Sequence, residues 1–159
     1  MLGRHSYATE LVWTGNTGAG TADYRSYRRT CEVRAAGKPV LAGSSDPHFR
    51  GDADRWNPEE LLVAALSQCH LLAFLHEAAI GGVVVLDYTD AATGAMATRG
   101  NGGRMTEVVL HPVVTVATAD MAERCGQLHE RAHANCFIAS SVNFPVRHEP
   151  VVRVAGQYS

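Results

Sequence analysis

The residues of this sequence with the most chemical potential are its cysteines, at positions 31, 69, 125 and 136. They are too sparse for a disulfide-stapled framework and include no Cys-x-x-Cys pair, so they read as free thiols. A free thiol is by default a small buried hydrophobe. It becomes a nucleophile only as a thiolate, which needs a cation beside it. Cys69 poses that question most sharply. It sits inside the stretch NPEELLVAALSQCHLLAFLHEAA, Asn57 to Ala79, with His70 directly after it and two acids, Glu59 and Glu60, at the start. Lys38 is the single lysine, so the available cations are arginines, and Arg50 and Arg55 lie in the polar segment just before this stretch. The acids also have a purely structural use: in a first helical turn they complement the helix dipole by about 0.3–1 kcal/mol.

Helical geometry separates Glu59 from Cys69. The intervening residues rise about 15 Å and leave the two about 80° apart in azimuth, so they share no site within one unbroken helix. If two such helices pack antiparallel about a two-fold axis, the start of one meets the middle of the other and two identical sites result. His70 is turned about 100° from Cys69 and reads as a core or interface histidine.

A second constellation is Cys125, His129, His133 and Cys136, at spacings of four, four and three. Thiolate and imidazole are zinc ligands, and two at i and i+4 share a metal. Along one helix, however, the four span about 16 Å. A tetrahedral ion would take two or three of them and need others, such as Cys69 or His70. The competing reading puts Cys125 on a core stripe and leaves two surface histidines.

The elements that must position these groups follow from periodicity and punctuation. Asn57 suits a helix N-cap, Pro58 the first helical position and Glu60 the third position of a capping box. The helix ends at IGG and is apolar on nearly every face, so it must be covered on all sides. Before it, residues 9–15 and the alternating segment 21–35 predict strands, VLAG a strand stub and SSDPHFRGDADRW a long polar loop. After it, VVVLDYTDAATGAMATRG and RMTEVVLHPVVTVA flank NGG as a hairpin. A second helix over 119–136 presents Met121, Cys125, Leu128 and Ala132 as its core stripe. A closing strand region is broken by Pro145 and Pro150. Strands interrupted by two helices predict an α+β fold. One small sheet cannot cover the first helix, so a partner subunit is expected.

With 159 residues the chain is sized for a single domain, 1–159. The net charge of −2 gives no support to a nucleic-acid partner. The N-terminus lacks an apolar signal region. No run reaches the roughly 20 apolar residues of a membrane span; Asn57 to Ala79 comes closest but is interrupted by Ser67, Gln68, His70, His76 and Glu77. A cytoplasmic protein is the expectation.

The motif NPEELLVAALSQC, an acid and a cysteine ten residues apart, together with the order of elements and a second helix ending in Cys136, resembles the OsmC/Ohr family of thiol-dependent peroxidases. The resemblance implies antiparallel sheets wrapped around two central helices in an intertwined homodimer. It also implies reduction of organic hydroperoxides at sites on the subunit interface, with an external dithiol as reductant and no cofactor. By position, Cys69 would be the peroxidatic cysteine, Cys136 the resolving one, and Glu59 the carboxylate that orients an arginine. That arginine would be Arg50 in HFRGD, with Arg29 in reserve. An apolar surround from Leu66, Leu72 and Phe137 would favour organic peroxides. The chain departs from many relatives after Cys136, where CFIASS replaces a proline. Two alternatives stand beside this: a non-catalytic small-ligand or lipid carrier of the same fold, and a zinc-binding protein using Cys125, His129, His133 and Cys136.

Overall fold

The punctuation around Asn57 works as the sequence predicts. In a computed structural model, which describes residues 3–156, helix α1 runs Pro58–Ile80. Asn57 Oδ1 accepts the Glu60 N–H at 2.8 Å, and the Asn57 N–H donates to Glu60 Oε2 at 3.2 Å. This reciprocal pair satisfies two groups that a helix start leaves open. At the other end Gly82, at φ +68, supplies the left-handed turn that lets the Val83 N–H reach Ala78 O. The chain packs as two compact units, Met1–Leu61 and Leu62–Ser159; α1 begins in the first and runs on through the second.

The first unit holds an antiparallel sheet of β1 (Glu10–Trp13), β2 (Cys31–Arg34) and β3 (Leu41–Gly43) in sequence order. The long strand expected over 21–35 shrinks to β2. Its first half coils instead, because side chains there take the backbone carbonyls. Ser26 Oγ donates to Gly20 O and Asp23 O, and the Arg29 guanidinium donates to Tyr24 O and Tyr27 O. The expected alternation also fails, since Cys31, Glu32 and Val33 are all half-buried. The polar loop carries one turn of 3-10 helix, Pro47–Phe49, capped by Asp46. A Cβ on Gly51 would lie 1.5 Å from Ser45 O, so only glycine fits beside that carbonyl.

The second unit contains β4 (Val85–Asp90), β5 (Thr93–Arg99), β6 (Gly102–Leu110), β7 (Pro112–Val116), α2 (Ala119–Ala134), β8 (Val146–His148) and β9 (Val151–Val154). They form two sheets, β4-β7-β9 and β5-β6-β8. The fold is α+β as expected, but the sheets are mixed rather than purely antiparallel. β4 and β5 pair antiparallel with β7 and β6, whereas β9 and β8 run parallel to β7 and β6. Parallel pairing needs a long crossover, and the α2 connection provides it. The single hairpin and single closing strand of the sequence reading are each divided. Both hairpin arms change sheet, after Asp90 and at His111, and Pro150 breaks the last strand at the matching level. Asp90 holds this line: its carboxylate accepts the His111 N–H at 2.7 Å and bonds the Ser67 hydroxyl of α1.

Two apolar clusters fill this unit. One joins Phe74 and Ala78 of α1 to Val114, Val116, Cys125, Leu128 and Ala132; the other joins Leu66 to Val108 and Leu110. The opposite side of α1 is bare, with Leu72 59%, Leu75 38% and Ile80 66% exposed. By length and mean hydropathy α1 is, among the described residues, the helix that could cross a membrane. It nevertheless buries His70 and Glu77 against polar partners of its own unit: His129 Nδ1 for the first, Asn135 Nδ2 for the second.

Candidate active site

Cys69 lies in the middle of α1 and is half-buried. Cys136 is buried and stands just beyond α2, not within it. The helix stops at Asn135, and the chain then turns on itself. The Cys136 N–H reaches His133 O, while the Ser140 N–H and hydroxyl both donate to Cys136 O at 3.0 Å. Phe137 is accommodated in this turn with 82% exposure, so the missing proline leaves the turn intact. The Ala139 N–H points at Cys136 Sγ from 3.5 Å. Cys69 is close enough to raise the Cys136 thiol, and both thiols are free. Burial, and then the contact with Cys69, pushes the Cys136 thiol up to about 11. Cys136 is therefore a fully protonated thiol at neutral pH.

The other expected members, Glu59, Arg29 and Arg50, belong to the first unit. Glu59 stands in the first turn of α1, with Oε2 buried and without a hydrogen-bond partner. Among the described residues of this single chain it forms no ion pair. Arg29 is held within the first unit: it donates to Tyr24 O and Tyr27 O at 2.7 Å each, and its guanidinium lies 4.4 Å and 4.1 Å from the two tyrosine ring centres. Arg50 caps the 3-10 turn at φ 66, the one positive φ outside glycine among the described residues. Of the expected apolar lining, Leu66 is core, packed on Val108 and Leu110, and Leu72 and Phe137 are exposed.

The zinc constellation is not realised. Cys125 is sealed in the core, donates to Met121 O at 3.4 Å, and has its thiol raised by burial. Cys136 is beside Cys69. Among the described residues no three His, Cys, Asp or Glu side chains converge as a metal cage requires. His129 is not a surface residue either, being 0% exposed. Its Nδ1 lies 3.0 Å from His70 Nε2, and the rings are coplanar within 7° with centres 5.3 Å apart, the geometry of an edge-to-edge N–H···N bond. Phe74 stacks on His129 at 4.1 Å, and His148 stands 5.3 Å from both His70 and His133. Burial, then the neighbouring imidazoles, lowers His70 to about 4 and His129 to about 3. The His70–His129 pair is thus neutral at neutral pH. Sequence reasoning placed His70 in the core but missed its partner. The i, i+4 histidines of α2 were visible, yet only the fold adds His70 and His148 to them.

Residues 51–150 match the family model described as OsmC-like protein. Among solved structures, the chain is similar to an OsmC-like protein of unknown function from Vibrio cholerae, with 30% identity and a TM-score of 0.83 over 93% of this chain and 100% of that one. An organic hydroperoxide resistance protein from Elizabethkingia anophelis shares the fold at 19% identity and a TM-score of 0.69, covering 96% and 99% of the two chains. One from Legionella pneumophila does so at 18% and 0.68, with coverage of 96% and 99%. No curated protein matches the sequence significantly.

Proposed function

Because the chain belongs to the OsmC-like protein family, we propose that it is a thiol-dependent peroxidase that reduces organic hydroperoxides to alcohols. The observation that supports this reading is that two free thiols from distant parts of the sequence, Cys69 and Cys136, are near enough for the first to raise the second. The hydroperoxide resistance proteins that share the fold lend the substrate class. In the proposed cycle the Cys69 thiolate attacks the outer peroxide oxygen. The O–O bond breaks, the sulfur is oxidised to a sulfenic acid, and the alkoxide leaves and takes up a proton as the alcohol. Cys136 then attacks the sulfenic sulfur. An S–S bond forms, and the hydroxyl departs with the Cys136 proton as water. An external dithiol restores both thiols by exchange. The division of labour follows acidity: a thiol pushed to about 11 is a poor first nucleophile at neutral pH, which leaves Cys69 to open the reaction.

A guanidinium stabilises the Cys69 thiolate in this reading, supplied by Arg50 or, in its place, Arg29. Glu59 orients it through a charge-assisted pair, for which its unpartnered buried oxygen leaves room. The working form is an intertwined homodimer. The apolar side of α1, exposed at Leu72 and Ile80, supports this, since faces of that kind mark interaction surfaces. Residues 1–159 act as one OsmC-like domain, which the 93% coverage by a structural relative supports. The protein works in a reducing cytoplasm, where a dithiol reductant is at hand.

The test is turnover of cumene hydroperoxide with a dithiol, combined with thiol counting. The wild-type chain should lose both thiols of the pair per oxidation and gain an intramolecular disulfide. Cys69→Ser should be inactive, and Cys136→Ser should undergo one slow oxidation and then over-oxidise at Cys69. Undiminished peroxide consumption by Cys69→Ser refutes the reading. A wild-type chain that consumes no peroxide but co-purifies with an apolar ligand is instead the carrier.

A further inference from the structure

The first unit contains a hollow of about 190 Å³ that the peroxidase reading does not explain. Four arginines line it, Arg25, Arg28, Arg29 and Arg50, with a single acid, Asp52. The one acid is already spent. Asp52 Oδ1 takes Arg28 at 2.7 Å and Oδ2 takes the Ser44 hydroxyl, and the Arg28 contact holds the Asp52 carboxyl below its ordinary range. The hollow therefore carries a surplus of three positive charges. Like charges lining one hollow repel, and a bound anion would offset that repulsion.

The four are not equivalent, and the differences describe a binding site. Arg29 is fixed in place: two backbone carbonyls and two tyrosine faces hold its guanidinium. Its orientation is set before any ligand arrives, which lowers the entropy lost on binding. Arg25 and Arg50 are less tied. Among the described residues neither forms an ion pair or a side-chain hydrogen bond, and Arg50 faces the Tyr24 ring only from 5.9 Å, although both line the same cavity. The loop goes to some cost to present Arg50. Its backbone lies at φ 66, where a long side chain is strained, and the turn is locked by Gly51, whose place no larger residue could take. Strain of this kind persists where the surrounding structure over-determines it, and it clusters at ligand-holding positions.

We infer that this hollow is a binding site for a phosphate group. The volume is below the roughly 300–1,000 Å³ of sites for drug-sized molecules, so the recognised part is compact. A phosphate offers oxygens on several sides and carries about −1.5 to −2 charges at neutral pH. It therefore matches guanidiniums converging from different elements, where a single carboxylate would leave most of the surplus charge in place. Arginine forks suit phosphate oxygens bidentately. The group arrives either as free phosphate or as the end of a phosphomonoester. Because Arg29 and Arg50 also figure in the peroxidase reading, binding rather than turnover is the readout.

Inorganic phosphate and glycerol phosphate are titrated into the full chain by calorimetry at constant ionic strength, with chloride as the reference anion. Saturable binding of phosphate, weakened about tenfold or more by Arg25→Gln and again by Arg50→Gln, is the expected result. Lys38→Gln, which removes an equal charge from an exposed turn outside the hollow, should leave the affinity unchanged. Much tighter binding of glycerol phosphate identifies a monoester as the ligand; equal binding identifies free phosphate. Phosphate binding no tighter than chloride, or a loss in Arg25→Gln no greater than in Lys38→Gln, overturns the proposal.

Discussion

The acidity of Cys136 gives a prediction that separates its chemistry from simple inaccessibility. Alkylation proceeds through the thiolate. With the thiol raised from 9.0 to about 11, the thiolate fraction at pH 8 falls about a hundredfold below that of an ordinary cysteine. Peptide-resolved mass spectrometry after timed iodoacetamide pulses should show Cys136 labelled slower than a free cysteine by at least that factor. The rate should still climb tenfold per pH unit between pH 8 and the limit of native stability. Steric protection alone would lower the rate at every pH without moving the midpoint, so the slope is the diagnostic. The perturbation is Cys69→Ser. It removes the neighbouring thiol but not the burial, which is the larger cause. Cys136 should therefore stay slow in the variant, with a modest gain. If Cys136 in Cys69→Ser reacts like an exposed thiol, or if its wild-type rate levels off near pH 9, the burial argument is wrong, and with it the division of roles between the two sulfurs.

Other expectations follow from the same packing. His70 and His129 are held neutral in the fold at about 4 and about 3 but titrate near 6.5 when unfolded. The unfolded chain thus binds more protons below 6.5, and stability must fall as the pH drops through that value. Between pH 7 and pH 5 the loss is about 2 kcal/mol per imidazole; urea midpoints at the two pH values measure it, and an unchanged midpoint contradicts it. Leu66→Ala empties a fully buried position packed on Val108 and Leu110. It should cost about 2–5 kcal/mol, seen as a lower denaturant midpoint at unchanged m. Asn57→Ala removes the Oδ1 that accepts the Glu60 N–H, one arm of the capping box, and should cost about 1 kcal/mol; restoration by Asn57→Ser, but not by Asn57→Val, checks the mechanism.

What was legible in the sequence is what is set locally. The start of α1 was written in Asn57, Pro58 and Glu60, of which Asn57 and Glu60 bond to each other within one turn. The apolar stripe of α2 needed only helical spacing to be read. The mixed sheets were not legible. The partners of Val146 and Val151 are Val108 and Val113, dozens of residues upstream, and nothing local encodes the parallel sense. The 21–35 segment misled because its alternation was real but its arginine and serine side chains took the backbone carbonyls a strand would have used. At the site, Cys69 and Cys136 were paired by family resemblance alone. The histidine network was hidden because His148 comes from the far end of the chain and His70 from α1.

The turn after α2 that presents Cys136 has one more effect. A covalent bond between the sulfurs would fasten the middle of α1 to the exit of α2 and close a loop from residue 69 to residue 136. Closing a loop of that size removes about 4 kcal/mol of chain entropy from the unfolded ensemble. The oxidised molecule would then melt at a higher temperature than the reduced one, so a heat ramp alone would report what fraction of the protein in a sample has met peroxide and still awaits its reductant.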